Sequence, residues 1–313
     1  MNTAIQNIAL FRLVADNPDL TAAWIDHESN PPTLQVLTTA GPVLGKLAVR
    51  VHNEVIPLLV SPQLQDLPYH IERSDPLHDL RAPLAFGAPL NANQECQNEP
   101  IQLGTQLQPA EANWVGTAGL PVKWIDPNRK PHWGILSNWH VMCTANAKKG
   151  HPQHQPTDLR PAIAHLSDWN SVSELANNYL DAAVADAWLD GFHTISPEII
   201  GIGPYGNHPI DAIVGLEVTK SGRTTGVTHA RCSAVGATVR IGYGDFTALF
   251  SDQDVFTHSA GPFSAPGDSG SGILGHSCLC PCALLFAGGG DLTIGCPIRY
   301  ATQRFNLVFP FNL

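Results

Sequence analysis

One serine of this chain lies in a turn that could make it a nucleophile. Ser269 stands within residues 267–272, which read Gly-Asp-Ser-Gly-Ser-Gly and lead into the apolar pair Ile273 and Leu274. The flanking glycines allow a tight turn in which main-chain N–H groups converge, as a developing oxyanion requires. A serine in a glycine-rich turn is also a common structural feature. A hydroxyl needs a base to take its proton, so catalysis would require a histidine and an acid elsewhere.

A candidate base and a candidate acid lie upstream of this turn. His140 stands in residues 137–141 (Ser-Asn-Trp-His-Val), directly after the apolar, strand-like residues 133–136. Asp181 stands inside a run of small and apolar residues, 178–185 (Asn-Tyr-Leu-Asp-Ala-Ala-Val-Ala), and Asp186 is an alternative acid. An imidazole accepts and returns protons near neutral pH, and a buried acid fixes its tautomer. We predict that Ser269 is the nucleophile, His140 the base and Asp181 the orienting acid.

These motifs resemble those of the trypsin/chymotrypsin-like serine peptidases of the PA clan. The order histidine, aspartate, serine is that of chymotrypsin-type enzymes, and residues 178–185 are similar to the family's Asp-Ile-Ala-Leu segment. Residues 218–228 (Val-Thr-Lys-Ser-Gly-Arg-Thr-Thr-Gly-Val-Thr) resemble the signature of a bacterial subgroup with features of the plant Narrow-leaf-type proteases. Residues 284–289 and 297–298 fit the same subgroup. The resemblance covers about residue 103 to the C-terminus.

The resemblance implies a fold and a reaction. The expected fold is mainly β, a double β-barrel of the chymotrypsin type preceded by a small α+β N-terminal domain. The expected reaction is peptide-bond hydrolysis through an acyl-enzyme, without a cofactor. The oxyanion would be held by the main-chain N–H groups of Gly267 and Ser269.

The resemblance also implies a primary specificity pocket. Phe263 would lie at its base, and the opposite wall would be the strand Phe286, Ala287, Gly288 and Gly289, whose backbone would pair with an extended substrate. No acid stands at the base position, so a preference for Lys or Arg is not expected. A small or medium apolar side chain is expected instead, unless Asp291 reaches in from the wall.

Three positions depart from the family pattern or need a local explanation. Many relatives carry a serine at the position of Ala287, where it supports the catalytic aspartate. Val141 stands where secreted relatives carry a cysteine, so their usual local disulfide is not expected, although Cys143 is close. In zymogen-type relatives the equivalent of Asp268 pairs with a newly cleaved N-terminus, whereas Asp268 is expected to bond locally.

Two other motifs could suggest different chemistry. Cys278, Cys280 and Cys282 lie near His276, but one-residue spacers are shorter than those usual for zinc. We expect buried, reduced thiols and no metal, although alternate strand residues do share one face. Residues 220–226 (Lys-Ser-Gly-Arg-Thr-Thr-Gly) lack the full spacing of a phosphate-binding loop, and they are predicted to form a turn and a strand.

Composition limits the class of protein. The chain has 313 residues, 43% hydrophobic and 14% charged, with 27 Gly and 26 Pro, which is typical of many short strands. The net charge of −10 argues against a nucleic-acid partner. No signal peptide and no membrane-spanning stretch is evident, and the 7 cysteines are an odd number. We therefore expect a soluble cytoplasmic protein without a disulfide framework.

The pattern along the chain predicts two parts. Residues 1–103 would form an α+β domain and a connector, with a helix over 5–15 and strands over 22–26, 33–37, 46–51 and 55–60. The connector, residues 61–104, has little periodicity. Residues 104–313 would form the peptidase domain, with the division between barrels near 190–211. The N-terminal part could be a pro-segment, a docking domain or a dimerisation element.

Three functions remain open from the sequence. The first is a serine endopeptidase acting on a protein or peptide substrate. The second is a catalytically weak or inactive peptidase fold acting as a binding or regulatory module, which the missing serine at Ala287 would favour. The third is an esterase-like acyl hydrolase with the same triad.

Overall fold

The chain folds mainly into β-strands joined by short turns. The computed structural model describes residues 3–38, 41–42, 48–51, 54–58, 60, 62–65, 67–73, 100–187, 195–206, 208–258, 261–289 and 291–309. The helices within these ranges are α1 (Thr3–Ala15), α2 (Pro62–Gln65), α3 (Trp139–Met142) and α4 (Ile298–Phe305). The expected mainly β class is confirmed.

The N-terminal segment is a helix packed on a small group of strands. These strands are β1 (Leu20–Asp26), β2 (Thr33–Thr38), β3 (Gly41–Pro42), β4 (Ala48–Val51), β5 (Glu54–Pro57) and β6 (Tyr69–Arg73). The predicted helix over 5–15 is confirmed, because Leu10, Leu13 and Val14 recur at helical spacing and all are fully buried. They pack on the same cluster as Leu34 and Val36 of β2. β6 adds in parallel to β2, although the sequence suggests only a connector there.

The strands that follow belong mostly to an eight-stranded sheet. They are β7 (Ile101–Leu103), β8 (Thr105–Pro109), β9 (Gly116–Ala118), β10 (Leu120–Ile125), β11 (Pro131–Ser137), β12 (Pro152–His154), β13 (Ala162–Asn170), β14 (Ala182–Asp186), β15 (Ile195–Ile199) and β16 (Gly203–Pro204). β14 lies between β11 and β13. Its residues from Ala182 to Ala185 are fully buried, as a central strand covered on both faces requires.

The last strands close a barrel. They are β17 (Glu217–Gly222), β18 (Gly226–Gly242), β19 (Thr247–Thr257), β20 (Gly272–Gly275), β21 (Pro281–Gly289), β22 (Leu292–Pro297) and β23 (Leu307–Val308). The first six pair in a ring, β17–β20–β21–β22–β19–β18, which β17–β18 pairing closes. β23 instead joins β10 at the edge of the eight-stranded sheet.

The N-terminal strands and the barrel form one continuous sheet. β1 pairs antiparallel with β18 at Ala22↔Val239 and Ala23↔Thr238. The barrel's main hydrophobic cluster includes Ala22 and Leu37 of the N-terminal strands. No helix within the described ranges is long and apolar enough to cross a membrane.

Candidate active site

His140 is held at the end of a central strand. β11 ends at Ser137, and the four-residue helix α3 begins two residues later, so His140 lies in its first turn. The side chain of the preceding Asn138 donates to the main-chain oxygen of Asp181 at 2.8 Å. His140 is buried, with 7% of its surface exposed.

Asp181 lies beside His140 because their strands pair. β11 and β14 are antiparallel with Ser137 opposite Ala183, so the end of one strand meets the start of the other. His140 Nδ1 is 2.6 Å from Asp181 Oδ2, and the His140 main-chain N–H donates to Oδ1 at 3.3 Å. Asp181 has no exposed surface. A carboxylate only accepts hydrogen bonds, so Nδ1 carries the proton and Nε2 presents its lone pair.

The alternative acid has a different partner. Asp186 lies at the far end of β14, where its Oδ2 is 2.5 Å from Nδ1 of His132. His132 also approaches Asp126 at 3.5 Å and stacks on Trp124. Of the two acids considered from the sequence, the structure therefore places Asp181 against His140.

Ser269 lies in a turn anchored to both sheets. The turn uses positive φ angles at Gly267 (99°) and Gly270 (95°), a conformation that glycine adopts without strain. Thr117 of β9 donates its main-chain N–H to the Ser269 carbonyl at 2.8 Å, and Gly270 donates to Leu285 of β21 at 2.9 Å. Ser269 thus lies where the eight-stranded sheet and the barrel meet.

One strand places the serine turn beside the histidine helix. A Cβ built on Gly116 of β9 would lie 2.5 Å from the Val141 side chain and 3.1 Å from the Ser269 carbonyl. Val141 directly follows His140 in α3. In the part of the chain that the structure describes, the buried Oγ of Ser269 and Nε2 of His140 have no hydrogen-bond partner. The two atoms are therefore not hydrogen-bonded to each other in this structure. A nucleophile and a base would use them once that bond forms.

Asp268 forms the centre of a buried network. Its carboxylate accepts from the main-chain N–H groups of Thr224 (2.8 Å), Thr225 (3.2 Å) and Ala265 (3.0 Å) and from the Thr225 hydroxyl (2.7 Å). Nζ of Lys220, on β17, lies 3.3 Å away, and neither side chain of this ion pair is exposed. Burial lowers the pKa of Lys220, and the charge of Asp268 opposes that shift.

This network gives the lysine and the two threonines of residues 220–226 a structural role. Lys220 donates to Thr225 Oγ1 and to the carbonyl of Gly226, and the threonines donate to Asp268. The segment is a strand and a turn, which confirms that prediction, and the contacts of its residues hold the serine turn. Asp268 was expected to bond locally, but only its bond from Ala265 is local. Its other partners, Lys220 and the two threonines, lie 43 to 48 residues away in the chain, and sequence reasoning missed them.

The N–H groups proposed as oxyanion donors, those of Gly267 and Ser269, belong to the serine turn. Among the main-chain hydrogen bonds of the described residues, none has the N–H of Gly267 or Ser269 as its donor. The carbonyl of Gly267 accepts from the Thr117 hydroxyl at 2.8 Å, which fixes the Gly267–Asp268 peptide that lies between these two N–H groups.

Tyr243 contacts Asp181 and was missed by sequence reasoning. It follows β18, and its hydroxyl donates to Asp181 Oδ2 at 2.7 Å. Its ring meets that of His140 edge-on, with centroids 5.8 Å apart. Burial, followed by the charge of Asp181, raises the pKa of Tyr243 well above its usual value. In the sequence, the absence of a serine at position 287 was the one sign that a different group could support Asp181.

The residues predicted to form the specificity pocket lie on one strand, β21, and in the loop before β20, which contains Phe263. The side chains of Phe263 (1% exposed) and Phe286 (0%) are packed in hydrophobic clusters, while Gly288 is half-buried. The Phe263 ring lies under Nζ of Lys220, 5.8 Å from its centroid. Ala287 is buried, and Gly289 ends β21. The pocket itself remains a prediction.

The cysteine run is only partly buried. Cys280 and Cys282 are buried, but Cys278 is exposed, so the expectation of three buried thiols is wrong for that residue. Burial raises the pKa of Cys280 to about 11. Over the described ranges, no group of three or more His, Cys, Asp or Glu side chains is arranged to hold a metal ion.

Comparisons with known proteins give structural neighbours alone. No family model matches the sequence, and no curated protein matches it. The chain is similar to the solved structure of a chymotrypsin from Cellulomonas bogoriensis, with 17% identity, a TM-score of 0.47 and coverage of 68% of this chain and 99% of that one. It is also similar to protease A of Thermobifida fusca, with 19% identity, a TM-score of 0.48 and coverage of 67% and 99%.

A third similar structure is a glutamic acid-specific serine protease described as using a histidine triad in substrate binding. It has 18% identity and a TM-score of 0.49, and the match covers 67% of this chain and all of that one (100%).

Proposed function

We propose that this chain is a serine endopeptidase that hydrolyses peptide bonds through an acyl-enzyme. The observation that carries the proposal is the fully buried Asp181 bonded to His140 Nδ1 at 2.6 Å, with Nε2 and the Ser269 hydroxyl both buried and without partners among the described residues. A buried carboxylate, an oriented imidazole and a hydroxyl on a glycine turn are the groups that acyl transfer requires.

The first half of the reaction forms the acyl-enzyme. His140 Nε2 takes the proton of Ser269 as Oγ attacks the substrate carbonyl carbon, and Asp181 stabilises the imidazolium that results. The N–H groups of Gly267 and Ser269 receive the negative charge on the carbonyl oxygen. Each such donor contributes about 3 to 4 kcal/mol to transition-state stabilisation in comparable sites.

The second half releases both products. His140 returns its proton to the leaving amine nitrogen as the C–N bond breaks, which frees the first peptide. Water then loses a proton to His140 and attacks the ester carbon, and Ser269 leaves with that proton. No cofactor takes part in this sequence.

We propose residues 104–313 as the peptidase domain and protein or peptide as the substrate. An extended substrate would pair with the main chain at the end of β21, where Gly288 and Gly289 leave room for its approach. Phe263, with Phe286 and Ala287, would shape the pocket from beneath.

A fluorophosphonate probe tests the proposal, because it reacts with activated serines. We expect the wild-type chain to be labelled at Ser269, Ser269→Ala not at all, and His140→Ala and Asp181→Asn at rates about three to four orders of magnitude lower. Asp186→Asn is the matched control, since its carboxylate lies against His132, and it should label like the wild type. A peptide-library digest then separates peptidase from esterase activity.

Two outcomes would contradict the proposal. A folded wild-type chain without labelling would favour the binding or regulatory module. An equal loss of labelling rate in Asp181→Asn and Asp186→Asn would contradict the assignment of Asp181 as the orienting acid.

A further inference from the structure

Asp181 is a carboxylate that lies beneath the protein surface. Its side chain has no exposed surface, and a carboxylate in such a place is stable only when donors or positive charges surround it. Oδ1 receives a single main-chain N–H, from His140 at 3.3 Å. Oδ2 receives two groups, the imidazole and the Tyr243 hydroxyl. Tyr243 is therefore the one donor to Asp181 Oδ2, among the described residues, that is not part of the proposed triad.

The hairpin between β18 and β19 holds Tyr243 in this position. Its ring stacks on Phe246, with centroids 5.2 Å apart and planes 9° from parallel, and lies 6.2 Å from the Phe250 ring. Phe250 is completely buried in the barrel. Tyr243 and Asp181 are 62 residues apart in the chain, so the contact depends on the barrel meeting the eight-stranded sheet.

The other titratable groups near Asp181 do not replace this donor. Asp181 donates its own main-chain N–H to Sγ of Cys296 at 3.4 Å. Burial, and then the charge of Asp181, raises the pKa of Cys296 well above its usual value and that of Cys143 to about 12. Both thiols are therefore uncharged at neutral pH, so neither places a second negative charge beside the Asp181 carboxylate.

We propose that Tyr243 is a positioning residue of the site, whose hydroxyl fixes the Asp181 carboxylate and limits how strongly its Oδ2 attracts the His140 Nδ1–H. This inference rests on the proposed function. Tyr243 lies outside the sequence motifs that contain His140, Asp181 and Ser269. Its hydroxyl supplies the support for the acid that the resemblance expects from a serine at the position of Ala287.

The proposal predicts the direction in which the hydrogen bond between Asp181 and His140 changes when the Tyr243 hydroxyl is removed. A carboxylate oxygen that accepts two hydrogen bonds carries less charge toward each donor than one that accepts a single bond. Removing the phenol should therefore strengthen the remaining bond to Nδ1–H and hold the imidazolium more tightly. The base would then give up its proton less readily, and the acid limb of the kcat/KM profile would move to higher pH.

The first test measures the hydrogen bonding of the His140 ring in a variant that lacks the proposed nucleophile. In a Ser269→Ala background, the ¹⁵N chemical shift of His140 Nδ1 is measured with Tyr243, with Tyr243→Phe and with 3-fluorotyrosine at position 243. We expect the phenylalanine to move the shift toward a stronger bond, and the more acidic fluorophenol to move it the opposite way. Tyr205→Phe is the matched control, because it removes a partly buried tyrosine hydroxyl that donates to the Pro121 carbonyl; it should leave the shift unchanged.

The second test reads turnover. Tyr243→Phe should lower kcat/KM about tenfold to a hundredfold, the usual effect of losing a hydrogen bond to a charged group, with the acid limb displaced upward. An unchanged His140 shift in both Tyr243 variants would overturn the proposal. If those shifts occur but the wild type shows no labelling or turnover, the positioning inference stands and the peptidase proposal fails.

Discussion

At the scale of single residues, the serine turn depends on a charge pair that water does not reach. Lys220 and Asp268 are both 0% exposed at their side chains, with 3.3 Å between Nζ and Oδ2. Separating such a pair leaves one charge buried without compensation, which typically costs about 3 to 5 kcal/mol. Since Asp268 directly precedes Ser269, the same charge also orders the proposed oxyanion donors.

Lys220→Met tests this dependence. We expect it to lower the free energy of unfolding by about 3 to 5 kcal/mol and to slow fluorophosphonate labelling of Ser269, because Asp268 loses its counter-charge. The measurements are urea denaturation and the labelling rate. Arg231→Met is the matched control: its ion pair with Glu28, at 3.1 Å, is mostly exposed, and such pairs contribute about 0 to 1 kcal/mol. Equal effects of the two substitutions would contradict the assignment.

The residues of the candidate site divide into those with local signals and those without. Ser269, His140 and Asp181 each stand in a short run whose glycines, apolar neighbours or small residues indicate their setting. Tyr243 has no such run, and the run that contains Lys220 does not indicate its partner. The two residues reach Asp181 and Asp268 across 62 and 48 residues of chain. Contacts of that kind are set by how the sheets meet, which periodicity does not describe.

At the scale of elements, the sequence predicts strands with clear patterns and misses short pairings. The strand before His140 and the helix α1 follow apolar periodicity, and both are present. β6 and β7 lie within or at the end of the predicted connector. Each pairs in parallel with a strand distant in the chain, β6 with β2 and β7 with β15. A three- to five-residue strand is too short to show a period, so the partner decides its conformation.

Glycines at the contact between β9, β10 and the serine turn set how closely these elements approach. A Cβ on Gly119 would lie 1.8 Å from the Gly270 carbonyl oxygen and 2.9 Å from that of Leu136. Both neighbours are main-chain atoms, so the turn that carries Ser269 would have to move.

Gly119→Ala should therefore separate the serine turn from the histidine helix. We expect a loss of about 1 to 3 kcal/mol in unfolding free energy, as overpacking usually causes, together with a labelling rate at least tenfold lower. Gly275→Ala is the matched control, because its Cβ would first meet side-chain atoms, Ile210 Cδ1 at 3.1 Å and Cys278 Sγ at 3.4 Å, and the main-chain oxygen of Cys280 only at 3.9 Å. A stable Gly119→Ala variant that labels like the wild type would show that the close approach does not position Ser269.

At the scale of the whole molecule, the N-terminal segment shares a sheet and a core with the barrel. Besides the β1–β18 pairing, Arg240 of β18 donates to the carbonyls of Val14 (2.8 Å) and Leu20 (3.3 Å). Leu249 of β19 packs on the cluster that α1 covers. The sequence treats this segment as a separate domain, because patterning along a chain does not reveal which sheet a strand joins. These contacts favour a structural role over that of a removable pro-segment.

Leu13→Ala tests whether the two parts unfold together. Leu13 is fully buried in α1, and its truncation should cost about 2 to 5 kcal/mol. If the helix and the barrel are one cooperative unit, amide hydrogen exchange will quicken in β18 and β19 as well as in α1, because global opening becomes easier everywhere. Ile8→Ala, on the same helix but 57% exposed, should change neither. Faster exchange confined to α1 and its neighbouring N-terminal strands would show that the segment folds on its own, and the pro-segment would then become the better account of it.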